Sequence, residues 1–275
     1  GLILAFLIIM FSISGIIFNH RGAFSSVDLL RKIRPEEFRF KNWNNAAVKG
    51  SFKLSADSVL LYGTPGIWLT DSLQTGFAEY TNGFKKGADN RIVNRIVRIA
   101  DKNIYAVSTF DLYRLDEQGM WINLTNVAGI NERISDMENV GDTLVILTRS
   151  QLFYTIGSSG GFTRLELKSP NDYKPVTGTF RTMWLLHSGQ LFGTGGMLFV
   201  DFLGLLLIMV SITGVIYFFC PGLIKRKKKK EKPVKRTVNI MKLAIRWHNK
   251  IGLFFLIFFL LLSITGMFLR PPLLL

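Results

Sequence analysis

The 275-residue chain combines 48% hydrophobic residues with a formal net charge of +15, and this pairing excludes an ordinary soluble globular domain. It contains one cysteine, Cys220, which excludes a small fold held together by disulfides. The apolar and the charged residues lie in different segments, as is typical of a membrane protein.

Three uncharged apolar runs are long enough to cross a bilayer. They cover 1–18, 202–222 and 251–269, and about 20 residues at 1.5 Å each span a hydrocarbon core of about 30 Å. We therefore predict transmembrane helices at 1–19, 195–221 and 247–270. A cleaved signal peptide is the alternative for the first run, but that run has no basic start and no A-x-A-like exit.

The predicted spans share an internal repeat. The sequence GLILAFLIIMFSISGIIFNH from Gly1 aligns without a gap on GLFFLIFFLLLSITGMFLRP from Gly252, and SITG occurs again at 211–214. Small residues let helices approach closely, and Ser or Thr can hydrogen-bond back to its own helix. We interpret the tetrapeptide as a helix contact, with packing that also makes room for a flat cofactor as the alternative.

The first span lacks the flanking sequence of its copy. The third span follows IRWHNK, whereas nothing precedes Gly1, and the chain stops at RPPLLL. We therefore expect the sequence to be a fragment of a longer protein.

The large segment between the first two spans has a repeat of its own, with a period of 40 to 45 residues. The units are LLYGTPGIWLTD from Leu60, YAVSTFDLYRLD from Tyr105 and VILTRSQLFYTI from Val145. Short alternating strands at this period are typical of propeller blades. For 20–180 we predict an extracytoplasmic domain of about three propeller-like β repeats, each with two or three strands. The fold class is thus membrane α plus all-β.

The aromatic residues that recur in these units are interpreted as core between blades, and no binding residue is predicted there. Because known propellers have four or more blades, three units cannot close a ring alone. Either an open twisted sheet forms, or further blades come from elsewhere.

The segment between the second and third spans is strongly basic. From Lys225 to Lys250 there are twelve Lys or Arg residues and one acid, Glu231. The positive-inside rule predicts that the loop at 222–246 is cytoplasmic and that the β repeats lie outside. The run adjoins two spans and has no interleaved aromatics, so we expect it to bind the lipid bilayer and no nucleic acid. An outer domain without disulfides fits a bacterial envelope.

All three histidines lie at span edges. His20 ends the first span, His187 lies in a predicted outer-face amphipathic segment at 181–194, and His248 precedes the third span. Ionisable residues at such positions are functional candidates, and imidazole is a common axial ligand of haem iron. We expect His20 and His187 to meet at the outer face, and His248 to need an inner partner. Asp201 is a candidate for orienting a liganding histidine or carrying a proton, with an inert position at the headgroups as the alternative.

The flanks of the spans resemble one known family. HNKIGLFFLIFFLLLSITG, LHSGQLFG leading into DFLGLLLIMVSITG, and SGIIFNHR are similar to the PepSY-associated transmembrane proteins of bacterial inner membranes. Members that reduce ferric siderophores carry b-type haems held by histidines of these helices. The resemblance therefore implies ligand roles for His20, His187 and His248. The chain departs from the family in lacking an inner histidine on the first span and in carrying β repeats where relatives often carry a PepSY domain.

These observations lead to two functional expectations. The first is an inner-membrane haem-binding electron-transfer protein that acts as a ferric-chelate (siderophore) reductase on the extracytoplasmic side. The chain has no G-x-G-x-x-G fingerprint, so its electrons would come from quinol or a protein donor. The second is a non-catalytic, membrane-anchored, propeller-like sensor or assembly partner.

Overall fold

A computed structural model describes residues 1–28, 36, 39–99, 103–157 and 161–269. The last residue of the predicted third span, 270, lies outside these ranges. The chain divides into two compact units, one formed by Gly1–Arg21 with Lys174–Leu275 and the other by Gly22–Tyr173.

The first unit is helical. Its main helices are α1 (Leu2–Asn19), α3 (Thr179–His187), α4 (Gly193–Lys229), α5 (Lys235–Phe254) and α6 (Leu256–Phe268); the four-residue α2 (Arg21–Phe24) follows α1 at the unit boundary. Leu2–Asn19 and Gln190–Lys229 are long and apolar enough to cross a membrane, and α5 with α6 forms a third candidate if the pair is one span. The chain is thus a membrane protein with two or three candidate spans.

The third predicted span is not one straight helix. Helices α5 and α6 meet at Phe255 with a bend of 67°. Helix α5 is amphipathic, with Thr237, Ala244 and Ile251 buried at a spacing of seven residues, whereas α6 is apolar on all sides. The two halves therefore differ in the surface against which they can pack.

The basic segment predicted as a loop is mostly helical. Helix α4 continues through Pro221 to Lys229, and only residues 230–234 separate it from α5. Lys and Arg are good helix formers, and four of them in the last turn of α4 complement its dipole. Lys227 Nζ donates to Thr237 Oγ1 at 2.8 Å, which joins the two helices next to their connection.

The second unit consists of three four-stranded antiparallel sheets, each with its strands in chain order. The first sheet contains β1 (Val48–Lys53), β2 (Ser58–Gly63), β3 (Gly66–Asp71) and β4 (Phe77–Glu79). The second contains β5 (Val93–Ile99), β6 (Asn103–Ser108), β7 (Leu112–Leu115) and β8 (Trp121–Asn123). The third contains β9 (Ile134–Val140), β10 (Thr143–Thr148), β11 (Leu152–Ile156) and β12 (Thr163–Leu165). No closed barrel forms among the described strands.

The predicted β repeat coincides with these sheets. Leu60, Tyr105 and Val145 each stand third in the second strand of a sheet. The prediction of two or three strands per unit was too low. Each sheet has a further first strand, β1, β5 or β9, that precedes the repeated letters.

Two hydrophobic cores hold the sheets together. One contains Leu60 and Ile67 of the first sheet with Val93 and Trp121 of the second. The other combines residues of the second and third sheets, including Val107, Leu112, Leu144, Ile146 and Phe153. Consecutive sheets therefore share buried apolar side chains, and this burial is the main source of stability for such a unit.

Candidate histidine sites between membrane helices

His187, the last residue of α3, binds α6. Its Nδ1 lies 3.0 Å from Thr265 Oγ1, and the Thr265 hydroxyl donates to the Leu261 carbonyl at 2.8 Å. Because that hydroxyl proton is already used, the Thr265 oxygen accepts and His187 Nδ1 donates. This arrangement leaves the lone pair on Nε2, the nitrogen that a metal would bind.

The surroundings of His187 favour its neutral form. Burial lowers the pKa of His187, and a hydrogen bond to the Leu262 carbonyl offsets part of that effect. A neutral imidazole is the form that can coordinate iron.

His248, on α5, binds α4 in the same manner. Its Nδ1 lies 3.0 Å from the Val210 carbonyl oxygen and 3.3 Å from Thr213 Oγ1. The Thr213 hydroxyl donates back to the carbonyls of Met209 and Val210. A carbonyl can only accept, so Nδ1 carries the proton and Nε2 again keeps the lone pair.

The glycine of each tetrapeptide makes room for the histidine ring. A Cβ on Gly266 would lie 3.1 Å from His187 Cε1, and one on Gly214 would lie 3.4 Å from His248 Cε1. We call each Thr–Gly pair, Thr265–Gly266 and Thr213–Gly214, a histidine notch. The repeated SITG is thus a helix contact, as expected from the sequence, but in both copies the space left by glycine is taken by an imidazole.

Asp201 holds His20. The Asp201 carboxylate is buried on α4, and its Oδ2 lies 2.7 Å from His20 Nε2 while its Oδ1 accepts from Asn19 Nδ2 at 2.7 Å. Orienting a histidine is one of the roles considered for Asp201 from the sequence, and this contact is compatible with it. It also occupies Nε2, so the ring nitrogen of His20 without a hydrogen-bond partner among the described residues is Nδ1.

The meeting of His20 and His187 at the outer face stays a prediction. His20 is bound by α4 and His187 by α6. Within the described ranges, no hydrogen bond joins any two of the three histidines. Each histidine is hydrogen-bonded instead to a residue of α4 or α6.

The donor set is compatible with haem. No group of three or more His, Cys, Asp or Glu side chains that could hold a metal ion is found among the described residues. Haem iron differs from a protein-bound ion because the macrocycle supplies its equatorial ligands and the protein adds only axial ones. Among the described residues, Nε2 of His187, Nε2 of His248 and Nδ1 of His20 have no hydrogen-bond partner.

Sequence reasoning missed Thr213 and Thr265 as individual functional residues. The repeat showed that these letters recur at one depth of each span, but not what they bind. The His187–Thr265 contact joins residues 78 apart in the chain, and the His248–Thr213 contact joins residues 35 apart.

The β unit contains a polar cavity of about 580 Å³, where no binding residue was predicted. The buried Asp111 lies in it, and its Oδ1 receives hydrogen bonds from Lys85 Nζ at 2.6 Å, Asn123 Nδ2 at 3.1 Å and Thr125 Oγ1 at 3.2 Å. Burial and the nearby Asp111 carboxylate raise the pKa of Tyr113 to about 12.

The family follows from the comparison of the whole chain with known families. A family model described as the PepSY-associated TM region matches residues 1–220. The chain belongs to this family. The match includes the His20–Asp201 contact and the Thr213–Gly214 notch, while His248 and Thr265 lie beyond the matched residues.

Other comparisons add little to this PepSY-associated TM chain. No curated protein matches it. It is similar to the N-terminal domain of Nup159, with 16% identity and a TM-score of 0.31 over 44% of this chain and 34% of that one. It is also similar to a chain in an S. cerevisiae complex of a Dbp5 variant with Nup159, a Gle1 variant, IP6 and ADP, with 14% identity and a TM-score of 0.29 over 44% of this chain and 39% of that one. This chain thus spans well under two thirds of either structure, and neither likeness supports an argument.

Proposed function

We propose that this PepSY-associated TM protein binds b-type haem and transfers electrons across a bacterial inner membrane. In this proposal His187 and His248 would hold the haem through Nε2, quinol or a protein donor would supply the electrons, and the acceptor would be a ferric chelate on the extracytoplasmic side. The bound haem would supply one-electron redox chemistry.

One observation carries the proposal: two histidines on different helices have the same fixed tautomer. In both, a helix carbonyl or a threonine oxygen accepts the Nδ1 proton. The hydrogen bond orients the ring and leaves the lone pair of Nε2 available to a metal. Metal-ligating histidines almost always donate their other ring nitrogen in this manner, because the hydrogen bond orients the ring and raises its basicity.

The two notches lie at different levels of the helical unit. From His248 to Thr265 the chain advances 17 residues, which is about 25 Å of helix at 1.5 Å per residue. The 67° bend between α5 and α6 makes the straight-line distance shorter than this contour. The bend therefore favours electron transfer between an inner and an outer site.

His20 has a different place in this proposal. Because Asp201 engages its Nε2, His20 can bind iron only through Nδ1. The prediction that His20 is a haem ligand thus requires the less common ring nitrogen, and we assign the two haem sites to His187 and His248.

The proposed topology and domain form follow from charge and from sheet order. With the basic end of α4 on the cytoplasmic side, the β unit lies outside the inner membrane. The three sheets are proposed as propeller blades, since each is a four-stranded antiparallel meander that shares a core with the next.

A second candidate function is a membrane-anchored sensor or assembly partner that uses the β unit. It is favoured by the polar cavity around Asp111 and by the fact that every histidine already has a helix partner. On this account the histidines serve only helix packing.

Optical spectroscopy of the purified full-length protein separates the two functions. The haem proposal predicts an α band and a shifted Soret band after reduction with dithionite. If the reduced and oxidised spectra show no haem bands, the proposal is wrong. The sensor account predicts instead that His187→Ala and His248→Ala leave function intact while disruption of the β unit abolishes it.

A further inference from the structure

We propose that α1 carries a third histidine notch, Ser14–Gly15, which binds the imidazole of a histidine on another membrane helix. The inference is independent of haem, because it rests on how the two notches already described bind their histidines. It identifies an interaction surface on α1 and the chemistry of its partner.

The third notch is constructed like the other two. Ser12–Gly15 aligns with Ser263–Gly266, so that Ser14 corresponds to Thr265. The Ser14 hydroxyl donates to the Phe11 carbonyl at 2.9 Å, just as the Thr265 hydroxyl donates to Leu262 at 3.1 Å. In each case the hydroxyl oxygen is left as an acceptor beside a glycine.

No described residue occupies this notch. Apart from the backbone of its own helix and its chain neighbours, no heavy atom lies within 4 Å of a Cβ placed on Gly15. A Cβ placed on Gly214 or on Gly266 would instead meet a histidine ring. Helix α1 packs on α4 through a different face, where Ile16 contacts the Gly204 position. By helical spacing Phe11, Gly15 and Phe18 share a second face, and all three are exposed.

The partner is expected to be a histidine because both equivalent notches hold one. An acceptor oxygen with a flat, Cβ-free surface beside it fits a planar ring that carries an N–H donor. The Ser14 oxygen keeps the capacity to accept a hydrogen bond, which an imidazole N–H can use and lipid tails cannot. His20, His187 and His248 are each bound elsewhere, so the partner lies outside the described residues.

Site-specific photo-crosslinking in native membranes tests the inference. In one variant benzoylphenylalanine replaces Phe18, which lies beside the notch. In a control variant it replaces Ile17, which is also exposed but lies on the side of α1 away from the notch. We expect residue 18 of the full-length protein to crosslink to an apolar peptide that contains a histidine, and residue 17 not to do so. Mass spectrometry of the crosslinked peptide identifies that helix.

Two variants connect the crosslink to the notch. Gly15→Leu fills the space for the ring and Ser14→Ala removes the acceptor, so each should abolish the crosslink at residue 18. Ile17→Leu is the matched control and should preserve it. The inference is overturned if residue 18 crosslinks only to lipid, if the crosslinked peptide has no histidine, or if both notch variants crosslink as the wild type does.

Discussion

At the scale of single residues, the threonine of each SITG sequence differs from the serine two positions before it. Thr265 is 3% exposed and its oxygen accepts from His187, whereas Ser263 is exposed and its hydroxyl only donates to the Phe259 carbonyl. Only the threonine therefore contacts a histidine, although both are small hydroxyl residues.

Replacing the threonine tests whether it positions the ring. Thr265→Val keeps the shape of the side chain but removes the oxygen that fixes His187. Loss of such a partner of a metal ligand typically costs 10-fold to 100-fold in affinity, so we expect haem to be lost about 10-fold more readily. Thr265→Ser should restore retention, because it keeps the oxygen.

Ser263→Ala is the matched control for the Thr265 variants. Two quantities are measured: haem release to apomyoglobin and the midpoint potential of the bound haem. If the threonine oxygen positions the ligand, the potential should change in Thr265→Val and return to the wild-type value in Thr265→Ser. A change in packing alone would not produce this pattern. Equal values in Thr265→Val and Ser263→Ala would show that the threonine has no role at the ligand.

The glycines of the two notches should tolerate alanine to different degrees. Alanine favours a helix over glycine by about 1 kcal/mol, so Gly252→Ala, which meets no atom within 4 Å, should be neutral or stabilising. At Gly266 the new Cβ would lie 3.1 Å from the His187 ring and at Gly214 3.4 Å from the His248 ring, so the ring must move further at Gly266.

Thermal unfolding in detergent compares the three alanine variants. The expected order of stability is Gly252→Ala, then Gly214→Ala, then Gly266→Ala. Unfolding temperatures that do not separate Gly266→Ala from Gly252→Ala would argue against the ring contact.

At the scale of helices and strands, the repeat was visible in the sequence where side chains are buried. Leu60, Tyr105 and Val145 recur because each fills the same place in its sheet. The first strand of two sheets escaped notice because it is little buried: β1 buries none of its six residues and β9 two of its seven. Strands with few buried side chains give little periodic signal.

The histidine sites could be predicted only in part, because their contacts join residues that are far apart in the chain. Histidines at span edges and a recurring Thr–Gly pair are both local features of the sequence. Which histidine binds which pair depends on contacts across the fold, as does the contact of His20 with Asp201, which lies 181 residues away in the chain. The bend at Phe255 was also missed, since the apolar run continues through it and the nearest glycine, Gly252, lies three residues earlier.

Strand β7 gives the β unit a specific dependence on pH. Burial and Asp111 raise the pKa of Tyr113 to about 12, above its ordinary value of about 10. The unfolded chain therefore loses this proton at lower pH than the folded chain, and the contribution to stability disappears as pH rises from about 10 through 12. Below pH 10 the hydroxyl is neutral in both states.

Urea unfolding at pH 9 and pH 11 tests this dependence. The wild type should lose stability between the two values, and Tyr113→Phe should lose less because it has no hydroxyl to ionise. Tyr173→Phe is the control, since Tyr173 is exposed. A pH response that is the same in the wild type and in Tyr113→Phe would contradict the assignment.

At the scale of the whole molecule, the distribution of charge predicts how the chain is oriented. The basic residues at the end of α4 and the start of α5 should be cytoplasmic, and the β unit should be outside. In a Cys220→Ser background, a cysteine at Asp142, in the turn between β9 and β10, should react with an impermeant maleimide in spheroplasts. A cysteine at Glu231 should react only after lysis. Labelling of position 231 in intact spheroplasts would reverse the proposed topology.

The account as a whole depends on the free Nε2 atoms of His187 and His248. The most direct test is the haem content of the purified full-length protein, measured as the pyridine haemochrome per polypeptide in the wild type and in His187→Ala, His248→Ala and His20→Ala. We predict that the first two variants each lose haem and that His20→Ala retains it. A wild type without haem, or equal haem content in the wild type, His187→Ala and His248→Ala, would contradict the account.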